Sequence, residues 1–420
     1  MDKFVIRGGK KLHGTITIDG AKNASLALMP AALLASGTFQ LKNTPNLRDV
    51  STMSALLRTM GMVVDLDGHV LTLDTTGVCK HEAPYEHVKK MRASIYVLGP
   101  LVARYGQAKV SLPGGCAWGP RPVDLHIEGI KKLGAEVDLH EGYIFAKASR
   151  LTGARIHFDI SSVGATGNIL MASVLAKGPT VIENAAIEPE ITALAHFLVS
   201  MGAKIDGIGT NRLEIQGVDE LHATDVETIP DRIETGTFLV AVAMTGGKVT
   251  LRHIEPEHFS ALSAKLEDVG CRLECTNSSV TITAPEAIRS VDATATIFPG
   301  FPTDMQAQWT ALMSIAQGTS VVTDTIYFDR FKHVPELIRL GADIEVKENA
   351  AVVRGVKRLT GAKVMSTDLR ASASLILAGL IAEGTTEVLR VYHIDRGYEA
   401  IERKLQALGA DIERVAGEEF

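Results

Sequence analysis

Lys22 and Asn23 stand in the run GAKNA, whose small neighbours let a backbone approach a ligand closely, and a lysine so placed suits an anion. Arg92, Asp231 with Arg232, Asp304, and Asp368 with Arg370 each open a further helix-like run. Arg396, in YHIDRGYE, precedes the last one. At helix starts the N–H groups and the macrodipole favour negative charge, so cations there can clamp a phosphate or carboxylate. Asp231, Asp368 and Arg370 read equally well as caps and salt-bridge partners. Cys116 lies in LPGGCAWGPRPVDLH, residues 112–126, together with Trp118, Arg121, Asp124 and His126. A Gly- and Pro-rich stretch of this kind is expected to be a functional loop, a lid presenting the thiol, and neighbouring arginines can tune that thiol. Trp118 either stacks on a ligand or anchors the loop, and His126 reads first as a structural hydrogen-bonder.

No Walker A motif, no GxGxxG after a strand, no HExxH and no GxSxG elbow occurs in the chain. Cys79, Cys116, Cys271 and Cys275 fit neither a disulfide framework nor a zinc signature. A net charge of −6 without a long Lys/Arg run speaks against nucleic acid or a membrane surface as partner. The residues describe a cofactor-free enzyme acting on anions with Lys/Arg clamps, one carboxylate and one thiol. The N-terminus has no apolar leader, and a run such as 24–35 is too short for a bilayer, so the expected location is cytoplasmic.

The elements that must hold these residues repeat. The marker (Leu/Met/Val)-Gly-x-x-(Val/Ile/Leu)-(Asp/Glu) recurs with its glycine at 61, 134, 202, 270, 341 and 409, at intervals of 68 to 73 residues. Before each marker, an Ala-, Leu- and Ser-rich run ends near Gly37, Gly106, Gly178, Gly247, Gly318 or Gly384, which read as helix C-caps. A short β-rich run and an amphipathic helix follow, exemplified by Tyr398, Ile401, Leu405 and Leu408, and after the marker most copies show a hairpin. The unit is therefore βαβαββ. From its first glycine to its second the second copy advances 28 positions where the others advance 23 to 25, and the excess falls in the Cys116 loop.

The sixth copy lacks its last strands, and FVIRGGKKLHGTITIDG at the N-terminus matches the corresponding part of the fifth, so the N-terminus is expected to complete the last repeat. This gives an α/β fold of two domains with three repeats each: residues 22–229, carrying the loop, and residues 1–21 plus 230–420. The first helix of each repeat, such as ASLALMPAALLASG, is apolar on nearly every face, whereas the strands alternate. That patterning predicts an inside-out arrangement, with helices buried and sheets outside.

GAKNA, PGGCAxGxRPVDLH, PDRIETGTF, FPTDMQAQ, TDLRASASL and YHIDRGYE together resemble the UDP-N-acetylglucosamine 1-carboxyvinyltransferase family of enolpyruvyl transferases, across essentially the whole chain. The resemblance implies transfer of the enolpyruvyl group of phosphoenolpyruvate to the 3-hydroxyl of UDP-N-acetylglucosamine, with release of phosphate through a tetrahedral intermediate. It implies that Lys22, Arg121 and Arg396 hold phosphoenolpyruvate with Asn23 beside them. Arg92, Arg121, Pro122, Val123, Asp124, Leu125, Ser162, Val163, Asp304 and Ile326 would line the nucleotide-sugar site. Asp304 would be the base for the hydroxyl, and Cys116 the proton donor to the methylene carbon and a target of epoxides such as fosfomycin.

Two departures from the family pattern stand out. Ile160 occupies a position where the family commonly has Lys, near the uridine diphosphate, and Trp118 and Pro120 replace a smaller apolar residue and a non-proline in the loop. The alternatives are the sister transferase acting on shikimate 3-phosphate, which lacks the Cys116 loop and RPVDLH, and a non-catalytic nucleotide-sugar sensor.

Overall fold

The structure is a computed structural model, and it describes residues 2–112 and 123–416. Two compact units divide the chain: Gly20–Ile229, the continuous unit, and Met1–Asp19 with Pro230–Phe420, the split unit. The first crossing falls between Asp19 and Gly20, because the Ala21 N–H donates to the Ile229 carbonyl at 2.7 Å and so ties Ala21 to the continuous unit.

Six four-stranded sheets, three per unit, form among the described residues, and all follow one pattern. Glu82–Ala83 runs parallel to Gln107–Ser111, which pairs antiparallel with Tyr143–Lys147, itself antiparallel to Glu136–His140. The edge strand in the parallel pair is the tail of the preceding repeat, and in each unit the last tail returns to the first sheet. In the continuous unit Val226–Glu227 closes onto Thr38–Lys42. In the split unit Leu12–Thr17 closes onto Gly247–Arg252. Just before it, Asp2–Arg7 lies between Thr385–Leu389 and Asp411–Ala416, with Phe4 opposite both Val388 and Arg414. The N-terminal strand thus takes the hairpin-return place of the sixth repeat.

Strands bury one face only. Thr38–Lys42 and Arg212–Gln216 alternate exposed and buried residues along their length. The first helices are buried all round, as their sequences demand: Ile233 through Met244 are buried in the helix Arg232–Thr245, and Leu369 through Leu380 in Leu369–Ile381. These two and Gln306–Met313 pack on one another at the centre of the split unit. The second helices are amphipathic: Arg48–Thr59 buries Val50, Met53, Leu56 and Leu57 and carries Asp49 in its first turn and Arg58 in its last, complementing the dipole. Helices inside and sheets outside is the architecture found.

Two local readings are modified. Gly106 does end the helix Leu98–Tyr105 in the left-handed region, at φ 71°. The other five glycines are not the caps: the helices before them have their C-caps at Ala32, Val174, Gly246, Ser314 and Ala382, and in the first repeat the chain leaves Lys22–Ala31 through the 3-10 turn Ala32–Leu34 before Gly37, at φ 134°, turns it into the strand Thr38–Lys42. Tyr398 precedes the helix Ile401–Ala407 instead of lying on its apolar face. No helix among the described residues is long and apolar enough to cross a membrane.

Candidate active site

In the continuous unit the singled-out residues sit on four elements. Lys22 and Asn23 begin the helix Lys22–Ala31, which packs on the 3-10 helix Arg92–Val97 headed by the half-buried Arg92. Val123, Asp124 and Leu125 surround the start of the helix Asp124–Lys132. Ser162 caps Val163–Ser173, its hydroxyl accepting the Ala165 N–H at 3.3 Å. Asn168, wholly buried, joins three of the four: its amide nitrogen donates to the Ile95 carbonyl at 2.8 Å and to His126 Nδ1 at 3.0 Å, and its oxygen accepts the Gly99 N–H at 2.6 Å. The Tyr96 hydroxyl adds a long bond of 3.4 Å to the Val163 carbonyl.

His126 thus has the structural role its sequence context suggested. Burial pushes its pKa down to about 4, against the opposing pull of Asp124, so the ring is neutral at pH 7 and accepts at Nδ1. Lys22 is not a bare cation: its Nζ lies 3.1 Å from Asp49 Oδ2, and both side chains are nearly buried. An anion arriving at Lys22 meets an ammonium whose position is already held by a carboxylate.

In the split unit the central relationship is between carboxylate and guanidinium. Asp304, in the 3-10 turn Thr303–Met305, meets Arg330 through Oδ1 at 2.8 Å and Arg370 through Oδ2 at 2.7 Å. Arg370 is buried, and its other arm donates to the Tyr398 hydroxyl at 3.2 Å. That hydroxyl also lies 2.7 Å from Thr237 Oγ1 and accepts from Gln308 at 3.3 Å. Burial by itself would lower the Arg370 pKa, but Asp304, with Tyr398 and Asp231 behind it, outweighs burial and raises it. Burial, partly offset by Arg370, raises the Tyr398 pKa, so the phenol is neutral. Arg396 ends the 3-10 helix Val391–Arg396, two residues before Tyr398, and is half-buried.

The capping role expected of Asp231 and Asp368 is formed. Asp231 accepts the N–H groups of Ile233 and Glu234, at 2.8 and 3.0 Å. Asp368 accepts those of Arg370 and Ala371, at 2.8 and 3.1 Å. Both open all-buried helices whose first N–H groups need an acceptor. Cys116, Trp118, Pro120, Arg121 and Pro122 lie outside the described residues.

A model of the EPSP synthase (3-phosphoshikimate 1-carboxyvinyltransferase) family matches residues 6–405. Over 423 aligned residues the chain is 60% identical to a UDP-N-acetylglucosamine 1-carboxyvinyltransferase of Chloroherpeton thalassium, covering 100% of this chain and 99% of the relative. The enzyme of that name from Chlorobium limicola is 57% identical over the full length of both chains. The chain belongs to the UDP-N-acetylglucosamine 1-carboxyvinyltransferase family. Among solved structures, the enolpyruvyl transferase NikO from Streptomyces tendae superposes with a TM-score of 0.90 at 26% identity, covering 99% of both chains. EPSP synthase from Acinetobacter baumannii, at 18% identity and TM-score 0.76 over 99% of this chain and 100% of that one, shares the fold.

For this member of the UDP-N-acetylglucosamine 1-carboxyvinyltransferase family, motif reading left out the residues that hold the motifs in place. Asp49, Asn168, Asp324 and Arg330 carry no repeated or catalytic signature. For Asp49, Asn168 and Asp324 the one usable signal was acidic or amide character among apolar neighbours, and Arg330 carried none.

Proposed function

We propose that the chain transfers the enolpyruvyl group of phosphoenolpyruvate to the 3-hydroxyl of UDP-N-acetylglucosamine, releasing phosphate, as the first committed step of peptidoglycan synthesis. Full-length identity of 60% to a relative bearing that activity in its name carries the reading. The geometry agrees with it. Asp304 is positioned from both sides by guanidinium groups, yet its side chain keeps 24% of its surface accessible, as a group that must meet a hydroxyl requires.

In this reading Lys22, Arg121 and Arg396, with Asn23, hold phosphoenolpyruvate. Arg92, the run 121–125, Ser162, Val163, Asp304 and Ile326 receive the nucleotide sugar. Cys116 delivers a proton to the methylene carbon, which leaves the neighbouring carbon with oxocarbenium character. The sugar oxygen attacks that carbon as its proton passes to Asp304, giving the tetrahedral adduct. Loss of a proton from the new methyl group and departure of phosphate restore the double bond. We place the reaction in the cytoplasm and assign it no cofactor.

Incubation with phosphoenolpyruvate and either UDP-N-acetylglucosamine or shikimate 3-phosphate, following phosphate release, tests the proposal. Turnover is expected with the nucleotide sugar alone and is expected to vanish in Cys116→Ala. Turnover with shikimate 3-phosphate would favour the sister activity, and binding of the nucleotide sugar without phosphate release would overturn catalysis.

A further inference from the structure

We infer that Asp324 is a positioning residue that holds the Asp304 base and the Ile326 wall of the nucleotide-sugar site in one frame; this rests on the function proposed above. Asp324 ends the strand Thr319–Asp324 and is fully buried. Its backbone is fixed by Asn349, which accepts the Asp324 N–H at 2.8 Å and donates its side-chain amide to the Asp324 carbonyl at 3.1 Å. The carboxylate then faces two ways. Oδ1 accepts the backbone N–H groups of Ile326 and Tyr327, each at 2.9 Å, and so sets the path of the segment that carries Ile326. Oδ2 accepts the Thr303 hydroxyl at 2.6 Å.

Thr303 is the residue before Asp304, and its oxygen in turn accepts from Arg330 Nη1 at 3.0 Å while Arg330 Nη2 meets Asp304 at 2.8 Å. The Thr303 hydroxyl has one proton, so with Asp324 as acceptor its oxygen is oriented to receive the guanidinium. Direction matters along this relay. A buried carboxylate accepting three hydrogen bonds is charge-assisted at each of them, and losing the acceptor frees all three donors at once.

The relay has two branches that substitutions can separate. Thr303→Val keeps the shape, cuts the branch to Arg330 and Asp304, and leaves the Ile326 branch intact. Asp324→Ala cuts both. With UDP-N-acetylglucosamine and phosphoenolpyruvate, Thr303→Val is expected to lower kcat roughly tenfold, the scale of a slightly misplaced catalytic group. Its KM for the nucleotide sugar should stay within about twofold, and its melting temperature should fall modestly, because the buried Asp324 oxygen loses a donor. Thr303→Ser, which restores the hydroxyl, should recover most of the lost turnover, and Asp324→Ala should both lower kcat and raise the KM for the nucleotide sugar. Wild-type turnover with Thr303→Val unchanged, or with kcat and KM moving together in Thr303→Val and no recovery in Thr303→Ser, overturns the relay alone. A wild-type protein that releases no phosphate overturns the functional reading and the relay with it.

Discussion

Arg370 and Asp304, 66 positions apart in the chain, meet at 2.7 Å, and the same guanidinium reaches Tyr398 with its other arm. One planar, permanently charged group therefore spaces a carboxylate from a buried phenol, a task that depends on the fixed fork of Arg and not on charge alone.

Arg370→Lys keeps the charge and loses the fork. A lysine can serve Asp304 or Tyr398 but not both in this geometry, so stability should fall by about 1–3 kcal/mol, the cost of leaving a buried polar group unpaired. Urea denaturation at neutral pH measures this, and phosphate release should drop in parallel. A variant with wild-type midpoint and turnover would show that the charge suffices.

Lys22→Met tests the anion clamp. Loss of one charge-assisted contact should raise the KM for phosphoenolpyruvate by about 10- to 100-fold. The same change removes a cation from beside Asp49, which is only 3% exposed, so a lower melting temperature should accompany it. Initial rates at saturating nucleotide sugar give the first quantity; a KM within about twofold of wild type would remove Lys22 from the phosphoenolpyruvate site.

Stability against pH carries opposing contributions from buried groups. His126 is pushed down to about 4 and His333 to about 3 by burial, from an ordinary 6.5. Both take up protons more readily when unfolded, so their contribution is present above about pH 6.5 and is lost as pH falls toward 4. Glu234 is the reverse. Burial, with Asp19 alongside and Lys404 opposing, raises it from 4.5 to about 7, so its contribution is present below pH 4.5 and is lost as pH rises through 7. Glu234→Gln should therefore steepen the rise in urea midpoint between about pH 5 and 7 relative to wild type. Parallel curves for the two proteins would contradict the assignment.

Ile160 is 72% exposed and stands two residues before the Ser162 cap. Ile160→Lys should fold normally and tighten UDP-N-acetylglucosamine binding about two- to fivefold, the scale of an exposed ion pair. Calorimetry decides it; unchanged or weaker binding would mean that no phosphate comes near this position.

Much of the fold was legible because repetition makes a weak signal redundant. Six copies of one glycine marker, helices apolar on every side and strands with period two point to buried helices under one-sided sheets, and the match of the N-terminus to the fifth repeat anticipates the pairing of Phe4 with Val388 and Arg414. These are local periodicities, written wherever the chain adopts the same geometry. Lys22, Asp304 and Arg396 also stood out by type and place.

What only the tertiary structure decided is which charge meets which. Asp231 and Asp368, which from sequence were candidate caps or salt-bridge partners, both cap. Lys404 bonds Asp19 and Glu234, 385 and 170 positions away, and Asp324 reaches Thr303 across 21. Each is a single contact between distant segments, made once and not repeated, with an energy set by distance and burial once the sheets have closed. Nothing in the spacing of such residues along the chain marks them, so the elements could be read from the sequence while the relay holding Asp304 could be seen only in the fold.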